Sequence, residues 1–446
     1  MTNDHARASE VSRRQFMKAS AGLAVVASAA PLIARTANAG GLDTIRVGLI
    51  GCGGRGTGAA LQAMHADAGT VMWAMADIFP GRIDDKLGHL SKMAQTMEDD
   101  GHRAARSDKI QVSDDRKFLG FDAYQRLLDS GVEVVLLATP PVFRPLHLRA
   151  AVLANKHIFC EKPVAVDAPG IRSVLETSAM AAARGLSLMS GFCWRYHSQM
   201  REGFGRLLEG GIGDVHTVQS TYNVAGWVET HERQPGWSDL EFQLRNWQYF
   251  TPLSGDHIVE QGIHAIDWIA WANRDVPPLR CTAVGGRSVR PDVPETGNVY
   301  DHFSVFYEYE NGARGYHMCR HWPTKSGDNT AYMLGSDGAY TMRPWRGVHI
   351  MTGSNPWTGS AVKNDMYQQE HDELFAAIKS GNRVDDGVRM AHSTLMAIMG
   401  RMAAYTGETI TWEQALNSQE NLSSDSWEWG PRPFPEVARP GKTTFL

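Results

Sequence analysis

Cysteine is scarce in this chain. Cys52, Cys160, Cys193, Cys281 and Cys319 are the only five among 446 residues, widely spaced and without a C-x-x-C pair. That odd, scattered set offers no disulfide framework, and none is expected. Also missing is any apolar run of about 18 residues, so nothing in the mature chain is long enough to span a bilayer. Basic excess is missing as well. Lysine and arginine number 44 against 49 aspartate and glutamate, a formal net charge of −5, which leaves no electrostatic footprint for nucleic acid. A hydrophobic content of 43% with 13 tryptophans excludes a disordered chain. The sequence carries no internal repeat, and its length suits two or three domains at roughly 150 residues each.

The N-terminus reads as an address. Ser12-Arg13-Arg14-Gln15-Phe16-Met17-Lys18 is a twin-arginine motif, followed by small and apolar residues from Ala19 to Ile33 and an A-x-A site at Ala37-Asn38-Ala39. Residues 1–39 are expected to be a twin-arginine signal peptide, recognised by the export machinery that moves folded proteins. The mature chain is then expected in the periplasm or another extracytoplasmic space.

A dinucleotide-binding pattern follows. Thr44 to Ile50 is a short β-branched run that reads as a buried strand, and Gly51-Cys52-Gly53-Gly54-Arg55-Gly56 fits G-x-G-x-x-G directly after it. Gly51 permits a tight turn, Gly53 lets the backbone approach a pyrophosphate, and Gly56 allows close helix packing, with Gly54 and Arg55 completing the loop. The helix expected from Thr57 would point its first amides at the phosphates. A second strand, Val71 to Ala76, ends at Asp77, placed to accept from both ribose hydroxyls and to repel a 2′-phosphate, which favours NAD over NADP. Two more apolar runs end at Thr139-Pro140 and at Glu161-Lys162. The β-α-β-α-β order predicts a parallel doubly wound sheet with Gly51, Asp77, Thr139 and Glu161 on its ligand-binding edge.

Together with Ala138-Thr139-Pro140-Pro141, Glu161-Lys162-Pro163 and Gly262-Ile263-His264-x-x-Asp267, this pattern resembles the Gfo/Idh/MocA family of glucose–fructose oxidoreductase, inositol dehydrogenase and their relatives. Ala403-Ala404-Tyr405-Thr406-Gly407 and Ile410-Thr411-Trp412 resemble its large exported bacterial branch. The resemblance spans nearly all of residues 43–418. It implies an N-terminal Rossmann NAD-binding domain over 41–192 and a C-terminal α/β domain over 193–418. That second domain would hold a large, open, mostly antiparallel sheet, with C-terminal helices returning to the Rossmann domain. An extended, proline-rich tail over 419–446 is expected to reach across a partner subunit. Strands are expected over Thr282–Val289, His302–Tyr309 and Arg314–His321, with Asn311-Gly312 as a hairpin turn. The resemblance also implies a homo-oligomer, dimer or tetramer, formed through the open sheet.

The same resemblance places Lys162 beside the nicotinamide, where it would hydrogen-bond the reacting hydroxyl and settle its proton while hydride leaves carbon. Helical spacing predicts Asp256, Glu260 and His264 on one face. A carboxylate one turn before a histidine orients the ring, so His264 is a candidate general base and Glu260 its partner. Family dehydrogenases often have aspartate where this chain has Glu260. His257, Glu260 and His264 match no familiar zinc spacing, and no metal is expected. Arg195, Tyr196 and His197 stand where relatives carry a substrate loop, or else form an aromatic domain junction. Asn223 to Ser254, with Trp227, His231, Trp237, Arg245, Asn246, Trp247 and Tyr249, has the mixture of ring faces and polar groups that suits a carbohydrate.

NAD is not expected as a free pool outside the cytoplasm, so the chain is expected to fold around NAD and keep it. The principal expectation is an NAD-dependent oxidoreductase acting on a hydroxyl of a sugar, glycoside or cyclitol. Redox-assisted glycoside cleavage, as in glycoside hydrolase family 109, is the alternative, although the Y-P-T-H-G motif associated with that family is absent. A non-catalytic sugar-binding protein with structural NAD is the third reading.

Overall fold

The structure, a computed structural model, describes residues 44–99, 106–226, 230–360, 364–424 and 426–444. The expected signal peptide and Trp227 lie outside the described residues.

Six strands form the first sheet: β1 (Ile45–Ile50), β2 (Thr70–Asp77), β3 (Lys117–Leu119), β4 (Val134–Leu137), β5 (His157–Cys160) and β6 (Leu188–Ser190). Their order is β3-β2-β1-β4-β5-β6 and every pairing is parallel. Helices α1 (Gly54–Ala66), α2 (Arg82–Asp99), α3 (Ala123–Asp129), α4 (Arg144–Leu153) and α5 (Ala168–Ala183) make the crossovers. Because both sheet faces are covered, β4 is apolar throughout and β1 at every position but Arg46, without alternation. This is the doubly wound Rossmann domain expected from the sequence, with every strand delivering its carboxyl end to one edge.

The second sheet has nine strands. They are β7 (Val215–Ala225), β8 (Arg280–Gly286), β9 (His302–Glu308), β10 (Arg314–Trp322), β11 (Ala331–Gly335), β12 (Gly338–Arg343), β13 (Val348–Gly353), β14 (Trp357–Thr358) and β15 (Ile410–Thr411). The order is β14-β13-β12-β11-β7-β10-β9-β8-β15, antiparallel except where β7 meets β10. The strand expected over Thr282–Val289 stops at Gly286, because the Ser288, Val289 and Arg290 amides turn onto the Asp301 carboxylate. Strands β10 and β11 alternate as one-sided strands should. Tyr316, Met318, Tyr332 and Leu334 are exposed on one face, while the residues between them are buried.

The covered face lies against the helix Ile263–Ala272, which is buried almost all round, and the 20-residue helix Gly387–Thr406. The helix Met366–Ser380 returns to the first domain, where Gln368 Nε2 donates to the Gln62 carbonyl on α1 at 3.0 Å. The described part of the tail packs on its own chain. Leu422 N donates to Asp167 at 2.8 Å, Tyr300 Oη to the Ala438 carbonyl at 2.8 Å, and Gly441 N to the Thr406 carbonyl at 2.9 Å.

Candidate active site

The loops at the carboxyl edge of the first sheet enclose a cavity of about 770 Å³. Gly51 turns there with φ of +96°, and a Cβ on Gly56 would sit 2.1 Å from the Gly51 carbonyl oxygen, so both positions require glycine. Gly53 and Gly54 instead face open space on the cavity wall. This cradle fits a pyrophosphate, because bare backbone lines it and α1 starts at Gly54. Asp77 borders the same cavity. Its carboxylate accepts from Cys52 N at 2.8 Å and Phe79 N at 2.9 Å, which aims it without exhausting its lone pairs.

Thr139 and Pro140 line the middle of the cavity, and Glu161 and Lys162 its far end. Arg144, buried on α4, ties these loops together by donating to the Thr139 carbonyl at 2.8 Å and to the Pro163 carbonyl. Glu161 is ion-paired to Arg55 at 2.8 Å. Nearby Glu370 is fully buried, and burial, reinforced by Glu161, pushes its carboxyl well above the usual range.

Lys162 meets Glu260 at a junction. Its Nζ donates to the Glu260 carbonyl oxygen at 2.6 Å and to the Glu260 carboxylate at 3.3 Å. Both residues also line a second cavity of about 800 Å³, bounded by Tyr222 and Asn223 on β7 and by Arg343 at the end of β12. A group at Lys162 Nζ therefore faces both spaces, one shaped for a nucleotide and one open for a second molecule.

The expected alignment of Asp256, Glu260 and His264 is not what forms. Residues Ile258–Gly262 make a π-helical turn, and the wider turn breaks the 3.6-residue register. Asp256 precedes it at φ of +82° and accepts from Tyr300 N at 2.9 Å and from Tyr405 Oη. Glu260 bonds Lys162 rather than His264. His264 is buried, stacks on Tyr222 at 6.0 Å, and leaves Nδ1 without a hydrogen-bond partner. Burial, with the Lys162 charge beside it, pushes its pKa well below 6.5, so the ring is neutral. Among the described residues, no three histidine, cysteine, aspartate or glutamate side chains gather where they could hold a metal.

Of the two readings of Arg195, Tyr196 and His197, a substrate loop or a domain junction, the side chains form the second, a buried junction. Arg195 clamps Asp267 through Nε at 2.8 Å and Nη2 at 2.9 Å, and also bonds Asp275 at 2.5 Å. Tyr196 Oη donates to Asp386 at 2.9 Å, and His197 packs between Trp194 and His349. None of the three lines either cavity. These polar groups were satisfied internally by partners distant in sequence. Trp247 does reach the site, on the wall of the first cavity with His231, Arg245, Asn246 and Tyr249.

Sequence reasoning missed the far wall of the second cavity, formed by Asp328, Asn329, Arg343, Trp345 and Arg346. It also missed the tail's place at the first. Trp427 packs on Phe143 at 4.4 Å and Trp429 on Phe121 at 4.8 Å and Phe79 at 5.8 Å, all three phenylalanines being cavity residues. Two tryptophans in a proline-rich tail were the available signal.

Residues 45–192 match the family described as "Oxidoreductase family, NAD-binding Rossmann fold", and residues 205–341 match the GFO/IDH/MocA C-terminal domain. Trans-1,2-dihydrobenzene-1,2-diol dehydrogenase of Mus musculus is 25% identical over 292 residues, covering 62% of this chain and 78% of that protein. Inositol 2-dehydrogenase of Rhizobium meliloti (strain 1021) is 22% identical over 333 residues, covering 75% and 86%. The fold is shared with levoglucosan dehydrogenase, solved with NADH and levoglucosan, at a TM-score of 0.65 and 16% identity over 82% of this chain and 99% of that one.

Proposed function

The chain belongs to the Gfo/Idh/MocA family of NAD-binding oxidoreductases, and from that premise we propose that it oxidises a hydroxyl of a sugar, glycoside or cyclitol in the second cavity while keeping its NAD. The observation that carries this reading is Lys162, whose ammonium stands where the two cavities meet.

Bound NAD supplies the hydride acceptor. Gly51, Gly53 and Gly54 would hold its pyrophosphate, and Asp77 its adenosine ribose. Lys162 positions the substrate hydroxyl and, once deprotonated, takes up its proton, while Glu260 fixes the ammonium so formed and offsets its charge. His264 is neutral and can accept a proton, but its depressed pKa makes it a weak base. Its part is to polarise and orient beside Lys162. Tyr222 and Asn223 border the substrate space.

Retention is supported by the tail, since Trp427 and Trp429 cover the phenylalanines on the outer wall of the nucleotide cavity. A retained cofactor must be recycled in place, either by reducing a second sugar or by returning hydride to the same one. The second route is redox-assisted glycoside cleavage, and the covering tail supports it equally. The twin-arginine motif supports export of the folded, NAD-loaded protein to the periplasm. The exposed Tyr316, Met318, Tyr332 and Leu334 give the open sheet an apolar face that supports a homo-oligomer.

The test uses mature protein isolated from the periplasm. NAD released on denaturation is quantified, and nicotinamide absorbance is followed as sugars and glycosides are added. Stoichiometric NAD that becomes reduced without dissociating is the expected result. An empty protein that turns over only with added NAD would refute retention, and product analysis separates oxidation from bond cleavage.

A further inference from the structure

We propose that the second cavity selects a sugar bearing an oxyanion, a carboxylate or a sulfate ester, held by Arg343 and Arg346. The proposal rests on the preceding reading for the reacting hydroxyl and adds the chemical class of the molecule that carries it.

The argument starts with charge. Arg343 ends β12 and Arg346 closes the turn Pro344–Arg346 that follows, so one short stretch of chain brings both to the same wall. Most arginines around the core are neutralised: Arg55 by Glu161, Arg195 by Asp267 and Asp275, Arg245 by Glu241, Arg401 by Glu420. Among the described residues, neither Arg343 nor Arg346 forms an ion pair or a side-chain hydrogen bond. At the opposite wall Lys162 and Glu260 offset each other. The remaining lining carboxylate, Asp328, accepts from the hydroxyls of Thr221 at 2.7 Å and Thr330 at 3.2 Å. The cavity thus holds a cationic excess inside a chain whose formal net charge is −5.

Between the two arginines stands Trp345, held from two sides. Its ring meets Trp194 edge-on at 4.8 Å, and its Nε1 lies 3.2 Å from the Asn329 amide, whose oxygen accepts from it once the amide is oriented to satisfy both of its ends. A fixed indole offers a flat apolar surface to the C–H face of a pyranose. The guanidinium groups of Arg343 and Arg346, on the same cavity wall as that indole, offer planar paired donors, which match a carboxylate or sulfate better than a hydroxyl. The wall is therefore complementary to a ring with an anionic substituent turned away from Lys162. The oxidised hydroxyl then lies toward the cofactor and the anion toward the arginines.

The test is calorimetric titration of the NAD-loaded mature protein with glucose, glucuronate and glucose 6-sulfate, with nicotinamide reduction followed in parallel. One or both anionic sugars should bind roughly 10- to 100-fold more tightly than glucose, as charge-assisted hydrogen bonds allow. The gap should narrow as ionic strength rises. Tighter glucuronate identifies the carboxylate, and tighter sulfate ester identifies the sulfate; either supports the class. Arg343→Gln and Arg346→Gln, both at exposed positions, should shrink the anionic preference, and Arg343→Lys should restore part of it. Equal affinity for all three sugars, or a preference unmoved by both glutamine variants, overturns the proposal. Glucose that reduces NAD without an anionic preference leaves the oxidoreductase reading standing and removes only this one. Tight anionic binding with no reduction by any sugar keeps this inference and removes that reading.

Discussion

Lys162 donates to Glu260 twice, to its carbonyl oxygen at 2.6 Å and its carboxylate at 3.3 Å, and so pins the end of β5 to the π-helical turn of the second domain. The backbone bond fixes where the ammonium sits, and the carboxylate is its counter-ion. Lys162→Met should leave NAD bound, because Lys162 is not needed in the pyrophosphate cradle. It should slow hydride transfer by roughly 10²–10⁴-fold, the usual worth of a positioned acid–base group. Glu260→Gln keeps the backbone contact and should cost less. Single-turnover reduction of bound NAD measures both, and wild-type rates for Lys162→Met would sink the assignment.

The tail should control how long NAD stays. Trp427 and Trp429 make ring contacts with Phe143, Phe121 and Phe79 but contribute little to either main core, Trp429 being 43% exposed. Replacing both with alanine should leave the fold intact and raise the NAD dissociation rate by tenfold or more, since the ring contacts to all three phenylalanines are lost. Cofactor content after extended dialysis reads this directly. Full retention in the double variant would mean that the cleft itself, and not the tail, holds the nucleotide.

The parts legible in the sequence were those in which neighbours along the chain are neighbours in space. The glycine loop, Asp77 at the end of β2 and Glu161-Lys162 at the end of β5 are each set by a strand and its following turn. Arg195 allowed two readings because its partners stand 72 and 80 residues away, and no local pattern says that a polar cluster is already satisfied. Asp256 and Glu260 were misjudged because a 3.6-residue period was assumed through a turn that is wider. Arg343 and Arg346 carried no motif at all, since only the pairing of β12 through β11 to β7 brings them to the cavity.

Acid should destabilise this fold before its ordinary exposed carboxylates are protonated. Burial pushes His147 and His317 down to about 3 and His321 to about 4, from an ordinary 6.5. A depressed histidine pKa means that the unfolded chain binds more protons, so stability is fully present above 6.5 and is lost as pH falls toward 3 to 4. Each ring contributes up to about 1.4 kcal/mol per pH unit in that window. Asp256, raised to about 6 by burial, works in the opposite direction, because the folded chain then binds the extra proton. Glu370, its carboxyl also raised by burial, acts with Asp256, while His264, pushed well below 6.5, acts with the three histidines; the histidines outnumber the carboxyls, so Tm should fall steadily below pH 6.5, and His317→Gln should flatten the slope. A Tm independent of pH between 6.5 and 4.5 would contradict this balance.

Arg195 supplies the sharpest separation between a structural and a substrate-binding role. Its guanidinium is buried, holds Asp267 through two hydrogen bonds and reaches Asp275 as well, while Ser393 Oγ donates to the same Asp267 carboxylate at 2.8 Å. Arg195→Met would fill similar volume but leave Asp267 buried without its counter-charge. Removing one member of a buried pair costs about 3–5 kcal/mol. The prediction is a large drop in Tm, with substrate half-saturation unchanged in whatever fraction remains folded. Asp267→Asn should be milder, because the neutral amide still accepts a hydrogen bond. A variant of wild-type stability but weakened substrate binding would return Arg195 to the substrate site and reverse the assignment made from its contacts.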